Sequence, residues 1–143
     1  MESIKTTRFG DRTIEEDRVI HFPQGLPGFP DQKRFALMEH QSGSPFMWLQ
    51  AVESPDLAFV VTDPFLVVRD YLQEAPPKDR DLVYGKNGDT PLLLAIVNIP
   101  RGEPRNMTVN LQGPLVIDVR ARTGKQVILV HSGYTTRHPV LQT

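Results

Sequence analysis

The chain has 143 residues, 39% of them apolar and 23% charged, a balance typical of one globular domain spanning residues 1–143. It contains no cysteine, which excludes a disulfide framework, a thiol nucleophile and a cysteine-ligated metal. The formal net charge of −1 argues against a dedicated nucleic-acid-binding protein, which usually carries a clear positive excess.

The charge is divided unevenly along the chain. Residues 1–71 hold 11 acidic and 7 basic residues, a net charge of −4, whereas residues 72–143 hold 6 and 9, a net charge of +3. This asymmetry is either chance scatter or an acidic face suited to a basic partner. We expect a cytoplasmic location, because the chain has no apolar run of about 18 residues and no apolar secretion signal near its first residue.

Breaker residues divide the chain into short apolar segments. The 13 prolines and 10 glycines are spread throughout, which disfavours long helices and favours short strands. We predict an all-β fold: a small antiparallel barrel-like or two-sheet domain of about nine to ten short strands with at most one short helix. The strands predicted before residue 100 are residues 3–9, Asp17–Phe22, Arg34–Glu39, Phe46–Val52, Leu57–Thr62, Phe65–Val68 and Leu92–Ile99.

The segment between these strands and the last third of the chain is polar. Pro77–Tyr84 has a proline near its start and Gly85 as a stop, which predicts a helix of at most two turns. The surrounding stretch Glu74–Asp89 has little apolar pattern, and we expect it to include a mobile loop.

Alternation is clearest after residue 106. Apolar and polar residues alternate over 107–112, 115–122 and 126–130, with breaks at Gly113-Pro114 and Thr123-Gly124. A three-residue turn with Gly124 left-handed is preferred over a two-residue turn, because threonine resists a positive φ. That turn predicts the pairs Ala121–Lys125, Val119–Val127 and Ile117–Leu129.

No arrangement of residues predicts catalysis, a metal or a cofactor. The histidines at 21, 40, 131 and 138 lack ligand spacing, and Ser132 lacks a nucleophile motif. A hydrolase site around His131, Ser132 or His138 is the weakest hypothesis. The second half of the chain contains the basic residues Arg101, Arg105, Arg120, Arg122 and Lys125. They either bind along a phosphate backbone, as in an RNA-binding β-domain, or form a solvated face of the sheet.

Apolar and aromatic residues also occur in predicted loops. Leu26-Pro27-Gly28-Phe29 has the pattern of a type II turn, which would either plug a barrel end or face a partner. Trp48 and Phe46 are expected to lie mostly in the core. The tail Tyr134–Pro139 is either frayed or paired along a strand edge.

These segments, taken in order, resemble the flagellar assembly factor FliW family. The resemblance rests on the sequences FPQGLPGF (22–29), SPFMWLQ (44–50), LAFVVTDP (57–64), NLQGPLVI (110–117) and GKQ (124–126), followed by Tyr134 and Arg137-His138. It implies a cytoplasmic, barrel-like β protein without enzymatic activity. The implied partners are flagellin and, when flagellin is scarce, the RNA-binding translational repressor CsrA, the carbon storage regulator.

The family implies an acidic surface that attracts the basic repressor and repels RNA. In this nearly neutral chain, that surface would have to come from Glu15, Glu16, Asp17, Glu53, Asp56, Asp63 and Asp70. The residues that we predict to contact a partner are Leu26, Pro27, Phe29, Phe65, Tyr71, Tyr134 and Arg137.

Overall fold

The computed structural model describes residues 1–39, 43–85 and 90–141. The chain begins with an antiparallel hairpin of β1 (Glu2–Thr6) and β2 (Gly10–Ile14), which forms a separate two-stranded sheet. Arg34 holds this hairpin to the rest of the protein, because its guanidinium donates to both carboxylate oxygens of Glu2, at 2.9 and 2.8 Å, and also to Glu53.

The remaining strands form a nine-stranded sheet. Its order is β11-β8-β7-β6-β5-β4-β3-β10-β9, and β9 also pairs with β7, which closes seven of the strands into a barrel. All pairs are antiparallel except the single parallel pair between β10 and β3. The strands are β3 (Val19–His21), β4 (Arg34–Glu39), β5 (Phe46–Ala51), β6 (Ala58–Thr62), β7 (Leu92–Asn98), β8 (Thr108–Val109), β9 (Leu115–Asp118), β10 (Thr123–Gln126) and β11 (His138–Pro139).

Alternation along β7 separates two apolar clusters, one on each side of the barrel wall. Leu94 and Ile96 join the interior cluster, which contains Phe22, Phe35 and Leu49. The alternate residues join an outer cluster, which is covered by the segment after residue 67 and by the C-terminal residues. The outer cluster consists of Tyr71, Leu72, Ala75, Val83, Leu93, Ala95, Val97, Val109, Leu111, Val116, Val127 and Leu129.

The predicted all-β, barrel-like class is confirmed, as is a helix over α2 (Pro77–Tyr84). Of the polar stretch 74–89, residues 74–85 include this helix and the buried Asp79 and Val83. Residues 86–89 lie outside the described part of the chain, so the predicted mobile loop there stays a prediction.

The prediction of a strand over Phe65–Val68 was wrong. Residues Pro64–Val67 form a second short helix, α1, so the expectation of at most one short helix was wrong as well. The Asp63 carboxylate accepts a hydrogen bond from the Phe65 backbone N–H at 2.9 Å, and Pro64 occupies the first turn. Capping and a preset φ outweigh the β preference of four apolar residues.

The predicted register of the last hairpin was also wrong. Gly124 pairs with Ile117 rather than lying in the turn, so Ala121 and Lys125 are not partners. The Asp118 carboxylate instead accepts hydrogen bonds from the backbone N–H groups of Arg120 and Ala121, both at 3.1 Å, and this turn ends at Arg122 with φ 57°.

The other predicted strands of this region are shorter. Pairing over 107–112 is limited to Thr108–Val109, and the third strand covers 123–126 instead of 126–130. Residues 127–130 still run beside the preceding strand, because Val127 and Leu129 donate to the carbonyls of Pro114 and Gln112.

Candidate partner-binding surface

An aromatic row joins three of the predicted contact residues, two of them close in sequence and the third more than 60 residues later. The ring of Phe65 meets the edge of Tyr71 at a centroid distance of 5.8 Å, and Tyr71 lies 4.8 Å from Tyr134. Phe65 is 39% exposed, Tyr134 is half-buried and Tyr71 is 2% exposed. The row therefore runs from the surface into the outer apolar cluster.

Tyr71 is a structural residue rather than a surface one. Its hydroxyl donates to the Leu111 carbonyl at 2.6 Å. Burial raises the pKa of Tyr71 well above the usual tyrosine range, and the neighbouring Tyr134 adds to the shift. Direct contact between Tyr71 and a partner, as predicted from the sequence, does not agree with this burial.

Helix α1 presents an apolar surface at the outer end of the row. Phe65 and Leu66 are both exposed, Leu66 by 65%. A strand would have placed these two consecutive side chains on opposite faces, whereas a helix separates them by about 100°. Leu66 was not among the predicted contact residues, and only the capping pattern of Asp63-Pro64 could have indicated it.

The turn formed by residues 26–29 has one side chain, that of Leu26, in the interior cluster. Gly28 has φ 82°, and the Phe29 N–H donates to the Leu26 carbonyl at 2.8 Å, as a type II turn requires. Leu26 is 4% exposed and belongs to the interior cluster. Its side chain therefore fills the end of the barrel, and this burial does not agree with the prediction that Leu26 contacts a partner directly. Pro27 is exposed, and Phe29 is 41% exposed with one edge against Phe59.

Trp48 and Phe46 are less buried than the sequence suggested. Both are half-buried. Trp48 lies under the first hairpin, where the Arg8 guanidinium stands 4.2 Å from its ring centroid and Phe9 meets it edge to face at 5.9 Å. The core prediction therefore fails for Trp48, because the hairpin, and not the barrel interior, covers its ring.

The predicted acidic surface is divided between two ends of the sheet. Asp17 before β3 and Asp63 after β6 lie at one end, where Glu39, which was not among the predicted acidic residues, pairs with Met47. Glu53 and Asp56 follow β5 at the opposite end. Glu53 is bound to Arg34, and Asp56 accepts a hydrogen bond from Thr7.

The arginines offered for RNA binding are also separated. Arg101 and Arg105 follow the last residue of β7, whereas Arg120 and Arg122 lie in the turn next to its first residue. Seven residues of strand span about 23 Å. The four arginines therefore do not form one continuous track.

The remaining charged and nucleophilic candidates are scattered. Arg137 is exposed and makes no hydrogen bond or ion pair with any described residue. Ser132 donates its hydroxyl to Asp79 with no histidine between them, so these residues do not form a triad. Within residues 1–39, 43–85 and 90–141, no group of histidine and carboxylate side chains is arranged to hold a metal.

The fold and surface thus define a closed β-barrel protein whose exposed aromatic and aliphatic side chains are suited to contacts with other proteins. The model of the FliW protein family matches residues 3–141, and the chain belongs to that family. It is 41% identical over 137 residues to the flagellar assembly factor FliW of Natranaerobius thermophilus, covering 96% of this chain and 91% of the relative. It is 42% identical to that of Geobacter sulfurreducens, covering 96% and 85%.

A solved structure agrees with the sequence relatives. The crystal structure of a flagellar assembly factor FliW superposes with a TM-score of 0.82 at 33% identity, covering 99% of this chain and 98% of that chain. In the part of the chain that the structure describes, no helix combines the length and the apolar character needed to cross a membrane.

Proposed function

We propose that the protein is a cytoplasmic regulatory chaperone that binds flagellin before export and, when flagellin is scarce, binds CsrA. Binding to CsrA would relieve the repression of flagellin translation. The role is one of protein binding without turnover. Membership of the flagellar assembly factor family is the observation that carries this proposal.

The surface around α1 supports a protein-binding role. Leu66 is 65% exposed and Phe65 is 39% exposed, and the Phe65 ring is held against Tyr71. An aromatic side chain fixed by its neighbour loses little conformational freedom on binding. Phe29 and Pro27 form a second exposed apolar group at the 26–29 turn, and Arg137 supplies a guanidinium free to pair with a partner carboxylate.

The decisive experiment is one competition titration. A labelled RNA hairpin is bound to CsrA from the same organism, this protein is added, and RNA release is followed by fluorescence anisotropy. Flagellin is then added. Release that flagellin reverses would support the partner switch. Binding to CsrA without RNA release would remove the antagonism from the proposal, and binding to neither partner would refute it.

A pair of matched variants tests the surface. Leu66→Asp places a charge on the α1 surface, and Leu82→Asp places the same charge on α2, where Leu82 is 44% exposed. If the α1 surface is the centre of an interface, Leu66→Asp weakens binding by about thirtyfold or more, the effect of losing about 2 kcal/mol. Leu82→Asp should leave binding unchanged. Equal effects of the two variants would exclude the α1 surface as the specific contact.

A further inference from the structure

Two segments cover the outer apolar cluster of the barrel wall. The first, which we call the cover, is residues 68–84 and ends with α2. The second, which we call the strap, is residues 131–141. Buried residues of the cover, such as Leu72 and Val83, pack with Leu93 and Val97 of β7. Removal of the cover would expose that face of the wall while the interior cluster stayed closed.

The strap fastens the cover at two places. The Tyr134 hydroxyl accepts a hydrogen bond from the Leu72 backbone N–H at 2.8 Å. The Asp79 carboxylate, on α2, accepts from the His131 backbone N–H at 3.0 Å and from the Ser132 hydroxyl. These are side-chain latches between segments about 50 to 60 residues apart in sequence, so neither segment keeps them if the other leaves.

The strap is held to the barrel by few hydrogen bonds. The Thr135 carbonyl accepts from the N–H groups of Leu111 and Gln112, at 3.0 and 3.2 Å. Strand β11 pairs with β8 over two residues, and one of them is Pro139, which has no N–H to donate. The Val140 N–H donates to the Met107 carbonyl at 3.2 Å just beyond this pair.

The closed form holds two unfavourable features, both at the latches. Leu72 has φ 69°, a left-handed conformation that a leucine side chain rarely adopts, and it is 1% exposed. Asp79 is fully buried, and no donor among the described residues reaches its Oδ1. Opening the cover would relieve both, because Leu72 could leave the left-handed region and the carboxylate could meet water.

From this arrangement we propose that the cover and the strap are one cooperative unit that opens from the barrel wall while the barrel stays folded. The Tyr134 and Asp79 latches set the population of the open form. The proposal concerns the isolated chain and does not depend on which proteins it binds.

Hydrogen exchange of single amides, measured by NMR on the full chain, tests the proposal. The amide of Arg80 in α2 and that of Gly85, which caps the C-terminal end of α2, donate to the carbonyls of Pro76 and Asp81 and report on the cover. The Leu111 and Gln112 amides report on the strap. In the wild-type protein these four amides should exchange with one common opening free energy, lower than that of amides in β4, β5 and β6. Different values for the two groups would refute a single unit.

Latch variants provide the second arm. Tyr134→Phe removes the acceptor for the Leu72 amide, and Ser132→Ala removes one donor to Asp79. Each should speed exchange at the α2 and strap reporters by the same factor, about two- to tenfold for one hydrogen bond. Tyr84→Phe is the matched control, because the Tyr84 hydroxyl lies on the same helix and has no hydrogen-bond partner among the described residues.

Three outcomes of this arm would overturn the proposal. Faster exchange confined to the strap would show that α2 stays closed by itself. Equal acceleration in β4, β5 and β6 would show global unfolding instead of a local opening. Equal effects of Tyr84→Phe and Tyr134→Phe would show that the latch hydrogen bond has no particular role. If Tyr134→Phe does not fold, the exchange rates of Ser132→Ala and the comparison of the four reporter amides in the wild-type protein still test the proposal.

Discussion

Replacing Gly124 with alanine should destabilise the barrel, because the new methyl group would clash with the ring of Phe22. A Cβ at this position would lie 2.6 Å from Cε2 and 2.8 Å from Cζ of Phe22, whereas carbon atoms normally approach to about 3.5–4.0 Å. The Phe22 ring must therefore move by about 1 Å. It is fully buried and meets Phe35 edge to face at 5.7 Å, so little space is free for that movement.

The expected cost of Gly124→Ala follows from two opposing effects. Overpacking of a buried site costs about 1–3 kcal/mol. The lower chain entropy of alanine in the unfolded state offsets about 0.4–1 kcal/mol, because the Gly124 backbone is not left-handed. The net loss should be about 1–2 kcal/mol, which is a Tm decrease of about 3–7 °C for a chain of this length.

Urea and thermal denaturation in a double-mutant cycle with Phe22→Leu measure this effect. Leucine lacks the two ring atoms closest to the new Cβ, so the double variant should be more stable than the sum of the single effects by about 1 kcal/mol. Additive effects would show that the contact with Phe22 is not the cause, and a neutral Gly124→Ala would refute the overpacking argument itself.

Three other substitutions test separate contacts. The Arg34 hydrogen bonds lower the pKa of Glu2 below its ordinary 4.5. The stability that this pair contributes is therefore present above that pH and is lost as the pH falls through the lowered value. Glu2→Gln should be less stable than wild type at pH 7, and urea titrations at decreasing pH should show this difference in stability shrinking. Asp63→Ala should cost about 1 kcal/mol by removing the N-cap of α1, and Asp63→Asn much less, as measured by thermal unfolding. Gln50 is fully buried, and its Nε2 lies 3.1–3.2 Å from four carbonyl oxygens, that of Ala51 at the end of β5 and three in the segment that follows. Gln50→Met should cost about 1–3 kcal/mol in urea denaturation, and an unchanged midpoint would show that those carbonyls find other donors.

Local signals in the sequence predicted much of the barrel. Arg34–Glu39 was predicted with its observed bounds, and β5, β6 and β7 each to within one residue at either end, because these short apolar runs end at proline, glycine and polar residues. Helix α2 was predicted because Pro77 and Gly85 mark its two ends. Two of the failures occurred where a side chain bonded to the nearby backbone. Asp63 made a helix of an apolar run, and Asp118 formed a longer turn than the alternation implied.

The candidate surface was only partly visible in the sequence. The sequence indicated Phe65, Tyr71 and Tyr134 as contact residues, but the row that they form, with Tyr71 buried between the other two, depends on segments about 60 residues apart meeting on the barrel wall. Exposure of Leu66 depends on the α1 turn, and the burial of Leu26 and Tyr71 depends on closure of the barrel and its cover. Of these, only the exposure of Leu66 follows from a single segment.

Composition and short-range patterns by themselves determined that the chain is a β protein built of short strands, because proline and glycine spacing limits segment length wherever the chain goes. The tertiary structure decided which residues those strands present to solvent. Gly124 shows the difference: its sequence context suggested a turn glycine, yet its backbone is an ordinary strand, and the absence of a side chain there makes room for Phe22, which is 102 residues earlier in the chain.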